Sequence, residues 1–305
     1  MGAQGEIVAI STPAVRRTAA DRLLGPHRGN ERRRAAIDVT MRVVALASAI
    51  VVIVPLVAIV GYVLVKGLPT LTLDFLTHSS GNTTTPGALN AILGSLQMVP
   101  LALLIGGSLG LLAGIYLAEY AGPRLGATGT FLVDGLLGVP SILAGVLIYA
   151  TIVTNWTGSS AIAGAIALAV IMFPIVIRAT EEVLRLVPGS IREASLALGI
   201  ARWRTIVSVV VPVARAGLLT GIMLAFARGF GETAPLLFTA QGSEALNVGD
   251  WRSPMAALPL FVYQNSRLPD KMLVSQAWSA AIVLLAIVLA INVIVRGRSI
   301  GSRVE

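Results

Sequence analysis

The residues best placed for chemistry are Arg228 and Glu232, opposite charges inside the segment Ala227-Arg228-Gly229-Phe230-Gly231-Glu232-Thr233-Ala234-Pro235-Leu236-Leu237. The run around them is apolar for the length of a membrane span. An arginine at the centre of a bilayer costs roughly 2.5 to 3.5 kcal/mol on insertion scales, so two charges in one span need a reason. Their i, i+4 spacing places them on one helix face, where they can neutralise each other. A guanidinium offers a planar fork of donors suited to an oxyanion, and a neighbouring carboxylate can compensate or orient it when no anion is present. Two other readings stay open: a buried structural pair or snorkelling arginine, and a proton-linked pair in a self-sufficient carrier. Gly229 and Gly231 leave room for a helix or substrate to come close. Arg178, at the end of an earlier apolar run beside Glu181 and Glu182, reads as an interfacial anchor that could reach the same anion path.

A second constellation, Ser190 to Pro212, is a charged island between apolar runs. Pro188 and Gly189 break the preceding helix, and Ser190 with Glu193 has the spacing of a capping box for a new one. Ile191, Ala194, Ser195 and Leu198 then form a small apolar face, and Gly199 is suited to the helix end. From Ala201 a further helix carries Arg202, Trp203 and Arg204 toward Pro212. A helix this short is marginal alone, so it needs either a partner surface or lipid headgroups.

These residues must be positioned by helices in lipid. The chain of 305 residues is 55% hydrophobic and only 12% charged, with a mean hydropathy of +0.84. That excludes an ordinary soluble globule. A hydrocarbon core of roughly 30 Å takes about 20 apolar residues as helix. The expectation is an all-α integral membrane protein of six transmembrane helices: a first at 43–65, then spans at about 91–118, 131–153, 161–178, 213–240 and 277–295, with the loop 179–212 between the fourth and fifth of the six. Of the 23 lysines and arginines, 18 fall in the two tails, the 119–129 loop and the 178–215 stretch, and 4 on the opposite side. By the positive-inside rule both termini and the island are cytoplasmic. Residues 1–42 read as a basic, disordered cytoplasmic tail and 297–305 as a second tail. Gly106, Gly110 and Gly114 form a stripe suited to close helix packing, and Pro55, Pro100, Pro140 and Pro174 are expected to kink spans. The outer segment Gly242–Gln276 is long enough for a short surface helix. No cysteine is present, His27 and His78 are too isolated for a metal site, and no HExxH or paired catalytic carboxylates occur. Basic charge spread between spans is topology rather than nucleic-acid binding.

The island resembles the EAA loop of binding-protein-dependent ABC importer permeases of type I. Glu193-Ala194-Ser195, three residues, Gly199, nine residues, then Val209, Val211 and Pro212 follow that pattern, with Ser195, Val209 and Val211 as conservative departures. The resemblance covers spans two to six and implies the type I importer transmembrane domain over 89–296. It assigns Ser190, Glu193, Ala194, Ser195, Leu198 and Gly199 to a helix that docks on a cytoplasmic ATPase. The segment Arg228 to Leu237 is similar to the fifth span of phosphate permeases of PstA type, with Glu-Thr-Ala-Pro in place of the Glu-Thr-Met-Ala of the companion PstC type. It implies translocation roles for Arg228, Glu232 and Thr233, with Arg178 added from its position. Sulfate and molybdate permeases share the loop but not the Arg-x-x-Gly-Glu arrangement.

The expected assembly is a PstC-type second permease, a PstB-type ATPase dimer, a PstS-type phosphate-binding protein outside, phosphate and the bilayer of a bacterial cell membrane. No GxxxxGK[ST] occurs in the chain, so ATP and Mg belong to the ATPase partner and this chain binds no cofactor and catalyses no reaction. The alternatives are a permease for sulfate or molybdate and a self-sufficient secondary anion carrier.

Overall fold

The computed structural model describes residues 28–301, and over them the regular structure is helical, with loops between the helices and one isolated bridge between Gln241 and Met255. Eleven helices follow in order: α1 (Arg28–Gly67), α2 (Leu73–Thr77), α3 (Leu89–Tyr120), α4 (Pro123–Leu137), α5 (Ser141–Thr157), α6 (Ala161–Arg185), α7 (Gly189–Ala197), α8 (Arg202–Gly231), α9 (Ala234–Thr239), α10 (Leu258–Asn265) and α11 (Lys271–Gly301). Five helices are long and apolar enough to cross a membrane, six if the bent pair α4 and α5 counts as one. Residues up to Val60 form one unit and Gly61 onward another.

Several expectations need correction. The basic tail expected to be disordered is helical from Arg28, as part of the same helix as the first apolar run. A long apolar helix supplies the nucleus, and good helix formers such as Arg32, Arg33, Arg34, Ala35 and Ala36 extend it backward at little cost. Residues 1–27 and 302–305 lie outside the described residues. The third span, expected at 131–153, is two helices bent by 92° at the break between Leu137 and Ser141. Pro140 occupies the cap position there with φ −56° and ψ 130°, so it starts α5 instead of kinking a continuous span. The fourth span runs on to Arg185, and the fifth stops at Gly231, well short of 240.

The core of the larger unit is built on α6. Ala165, Leu168, Met172 and Val176 from α6 pack with Met98, Val99 and Ala102 of α3 and Phe226 and Phe230 of α8. The glycine stripe of α3 works as close packing: a Cβ on Gly106 would lie 2.5 Å from the Ala169 carbonyl oxygen, and one on Gly114 would lie 2.6 Å from the Thr180 Cβ. On the other side, Cβ atoms on Gly217 and Gly221 would meet Val183 and Ala179 at 2.6 and 2.4 Å. Thus α3, α6 and α8 approach almost backbone to backbone, as helices in lipid do where dispersion replaces the hydrophobic effect. The expected outer helix is α10, whose Leu258 and Phe261 pack on Phe75 and Ala88.

Four stretches are π-helical: Leu103–Gly107, Tyr116–Tyr120, Tyr149–Thr157 and Ile206–Val210. Such turns interrupt a helix locally and recur at functional sites. Two of them, Tyr116–Tyr120 and Ile206–Val210, lie close in sequence or space to the α7 segment.

Candidate functional site

Arg228 lies in the last turn of α8, and Glu232 lies just past its end. Pro235 lacks the N–H that would bond the Gly231 carbonyl, and its ring crowds that position, so the helix cannot continue. Glu232 accordingly has extended backbone, φ −80° and ψ 123°. The two residues therefore do not share a continuous helical face, yet the carboxylate turns back so that Arg228 Nε lies 2.6 Å from Glu232 Oε1. The arginine side chain is 59% exposed and the glutamate side chain 10%. A cation thus faces open space with its counter-charge tucked behind it.

That open space is a cleft of about 720 Å³ lined by α4, α5, α6 and α8. Leu137, Pro140, Leu147 and Pro174 give it a mostly apolar wall, and Arg178, Glu182 and Arg228 are its charged residues. Glu232 and Thr233 do not line it. Thr233 precedes α9 and makes no side-chain cap bond. A Cβ on Gly229 would meet the Met172 sulfur at 2.8 Å, so this glycine admits α6, whereas Gly231 has nothing within 4 Å.

Arg178 is occupied differently. It lies 2.9 Å from Glu182, 3.3 Å from Glu181 and 3.5 Å from Asp134. Glu181 is fully buried, and it also accepts from Thr130 Oγ1 at 2.6 Å and faces Arg185 at 2.6 Å. Sequence spacing announces the Arg178, Glu181, Glu182 and Arg185 set, but Asp134 and Thr130 reach it from α4 without any local signal. Three carboxylates meet Arg178 through Nε and Nη1 and more than balance its charge, whereas Arg228 meets a single carboxylate and is the more exposed of the two.

The island forms α7, but its start differs from the expected capping box. Pro188 is the cap residue and no side chain caps the helix. The helix begins one residue early, so Ser190 falls inside the first turn, and Ile191 N donates to the Pro188 carbonyl at 3.2 Å. Glu193, Ala194 and Leu198 face outward, Leu198 with 81% exposure, so the expected inward face shrinks to Ile191 and Ser195. Ser195 is buried, with Oγ 2.9 Å from Thr205 Oγ1 across the turn. Gly199 does end the segment, with φ +76°. Sequence reasoning missed Arg192, whose pairing with Glu119 of α3 brings two residues 73 positions apart into contact.

A model of the family described as the binding-protein-dependent transport system inner membrane component matches residues 110–297. The phosphate transport system permease protein PstA of Pasteurella multocida is 43% identical over 233 residues, 76% of this chain and 83% of that relative. PstA of Xylella fastidiosa strain 9a5c is 46% identical over 230 residues, 74% and 80% of the two chains. PstA 1 of Mycobacterium tuberculosis strain H37Rv is 39% identical over 251 residues, 80% and 82%. Among solved structures, an inward-facing form of the MetNI methionine ABC transporter aligns with a TM-score of 0.53 and 21% identity over 68% of this chain and 94% of that one, a likeness of fold. With helices, cleft and loop arranged in this way and relatives of this identity, the chain belongs to the binding-protein-dependent transport system inner membrane component family, on its PstA branch.

Proposed function

We propose that the chain is the transmembrane permease of an ATP-driven importer of inorganic phosphate and works by alternating access, with Arg228 as the cleft's anion-binding cation. The observation that carries this reading is the asymmetry of the Arg228 and Glu232 pair, exposed cation and sheltered carboxylate, at the wall of a mostly apolar cleft. A guanidinium with one partner keeps donors for a tetrahedral oxyanion. Glu232 competes with the anion for the same fork, which keeps binding weak enough for release. Thr233 supplies a hydroxyl near the pair, and Arg178, held by its carboxylates, sets the field at the far side of the cleft. The outward residues of α7, including Glu193, Ala194 and Leu198, dock on a PstB-type ATPase that hydrolyses ATP with Mg. A PstC-type permease completes the membrane unit, and a PstS-type protein delivers phosphate from outside. Both termini and α7 lie on the cytoplasmic side, in keeping with the lysine and arginine bias.

Reconstitution in proteoliposomes tests this. Phosphate uptake should need ATP, the ATPase and the binding protein. Uptake by the chain without an ATPase would make it a secondary carrier, and competition by sulfate or molybdate equal to that by phosphate would move the cargo to another oxyanion. Arg228→Gln should abolish uptake while the complex still assembles. Loss of assembly instead would make the pair structural.

A further inference from the structure

We propose that Glu119, at the end of α3, is a positioning residue that clamps α7 to the helical core and so makes ATPase motion felt by the transport cleft. This rests on the reading of α7 as the ATPase-docking helix.

One guanidinium joins three elements. Arg192, on α7, donates from Nε to both carboxylate oxygens of Glu119 at 3.1 Å and from Nη2 to Glu119 Oε1 at 2.5 Å. Its remaining donors reach the end of α6: Nη1 to the Val187 carbonyl at 2.6 Å and Nη2 to the Leu184 carbonyl at 2.8 Å. Both lie at the C-terminal end of α6: the Leu184 carbonyl also accepts from Val187 N at 3.2 Å, and Val187 lies past the last residue of the helix. A second arginine closes the clamp from the far side of α7: Arg202 donates to the Glu119 backbone carbonyl and stacks on Tyr120, 5.2 Å from the ring centroid. Glu119 is therefore held through its side chain by an arginine on α7 and through its backbone by an arginine just after it. It is 6% exposed, far from an ordinary surface ion pair.

The body on the other side of the clamp is stiff. Glycines join α3 to α6 at Gly106, Gly110 and Gly114, and α8 to α6 at Gly217 and Gly221, with no room for a Cβ at any of them. A push on α7 that passes through Arg192 must move α3 and α6 together, and α8 with them. The α8 helix carries Arg228, and α6 carries Arg178. With the clamp open, α7 keeps its chain connections, the Ser195 to Thr205 contact and the packing of Ile191 on Leu184, Val187 and Val210, but it loses its charged tie to α3 and can follow the ATPase with a weaker pull on the core.

The test is the ratio of phosphate transported to ATP hydrolysed in the full reconstituted complex. Glu119→Gln keeps an acceptor but removes the charge. Arg192→Lys keeps the charge but loses the fork, since one ammonium cannot serve Glu119, Leu184 and Val187 at once. Both should assemble and hydrolyse ATP while transport per ATP falls about tenfold, within the span of ordinary coupling energies. Glu119→Asp, which keeps the charge on a shorter arm, should recover part of the ratio. Two results overturn the proposal: an unchanged ratio in both Glu119→Gln and Arg192→Lys, or failure of both to assemble, which makes the contact a structural tie alone. Failure of the functional reading is separate, because it appears in the unaltered complex as a lack of ATP-dependent phosphate uptake.

Discussion

Two of the arginine–glutamate pairs, Arg228 with Glu232 and Arg192 with Glu119, have nearly equal contact distances and opposite character. At Arg228 and Glu232 the arginine has one partner and is 59% exposed on a cleft. At Arg192 and Glu119 the arginine is 23% exposed and satisfies a carboxylate and two helix-end carbonyls. Contact distance, 2.6 Å in one case and 2.5 Å in the other, does not separate them. What separates them is the number of donors left over. A guanidinium with most of its donors free can exchange partners and bind a ligand, and one engaged at Nε, Nη1 and Nη2 holds its neighbours in place.

The largest effect that could break this contrast is on stability. Arg192→Ala leaves Glu119 buried without its cation and frees two helix-end carbonyls, which should cost about 3 to 5 kcal/mol. Arg228→Gln removes a cation that is 59% exposed and leaves the sheltered Glu232 an amide to accept from, so it should cost less, about 1 to 2 kcal/mol. Thermal unfolding of the purified complex in detergent should therefore show the larger shift for the first variant and a clearly smaller one for the second, whereas uptake is abolished by the second. Equal shifts in the two variants would erase the distinction between a holding pair and a working pair.

A smaller effect concerns the turn that brings Arg202 back over Glu119. Gly199 has φ +76° and no atom within 4 Å of its would-be Cβ, so a side chain there meets no obstacle except backbone strain. Gly199→Ala should cost about 1 to 2 kcal/mol, the price of the left-handed conformation. If Gly199→Ala leaves the melting temperature of the complex unchanged, the turn is not what seats the clamp.

The two pairs also differ in how far they can be read from sequence. Arg228 and Glu232 stand out because two charges in an apolar run violate the lipid environment, and their spacing already pairs them. The helix break between them is also written in the sequence, at Pro235, but a span-length apolar run masks it. Glu119 and Arg192 carry no such mark: each sits at a helix end among other charges, and only the packing of α3 on α6 brings them together. Ser195 illustrates the same limit, because it departs conservatively from the loop pattern and its hydroxyl turns out to be bound to Thr205. The number of spans follows from hydropathy, whereas the 92° break between α4 and α5 depends on how Pro140 and its neighbours seat against α6. Periodicity and composition therefore report each helix against lipid, and the contacts between helices, which decide what each arginine can do, come from tertiary structure.

The smallest effect isolates saturation from burial. Asp250, in the outer segment, is as fully engaged as Glu119 but entirely at the surface: Ser253 Oγ donates to it at 2.5 Å and Arg252 N at 3.1 Å. Those bonds, the one from Ser253 foremost, hold its carboxyl below the usual carboxylate range. A carboxyl whose pKa is lower in the folded chain than in the unfolded one stabilises the fold above the unfolded value, about 4, and loses that contribution as pH falls through the folded value. Asp250→Asn should thus raise the rate of proteolysis of this loop at pH 7 slightly, and the difference from the unaltered chain should close as the pH drops below about 4. Global stability should not change, because water screens what the surface carboxylate gains. A global loss on the scale expected for Arg192→Ala would mean that saturation alone, without burial, makes a carboxylate hold the fold, and depth would not be what sets Glu119 apart from Asp250.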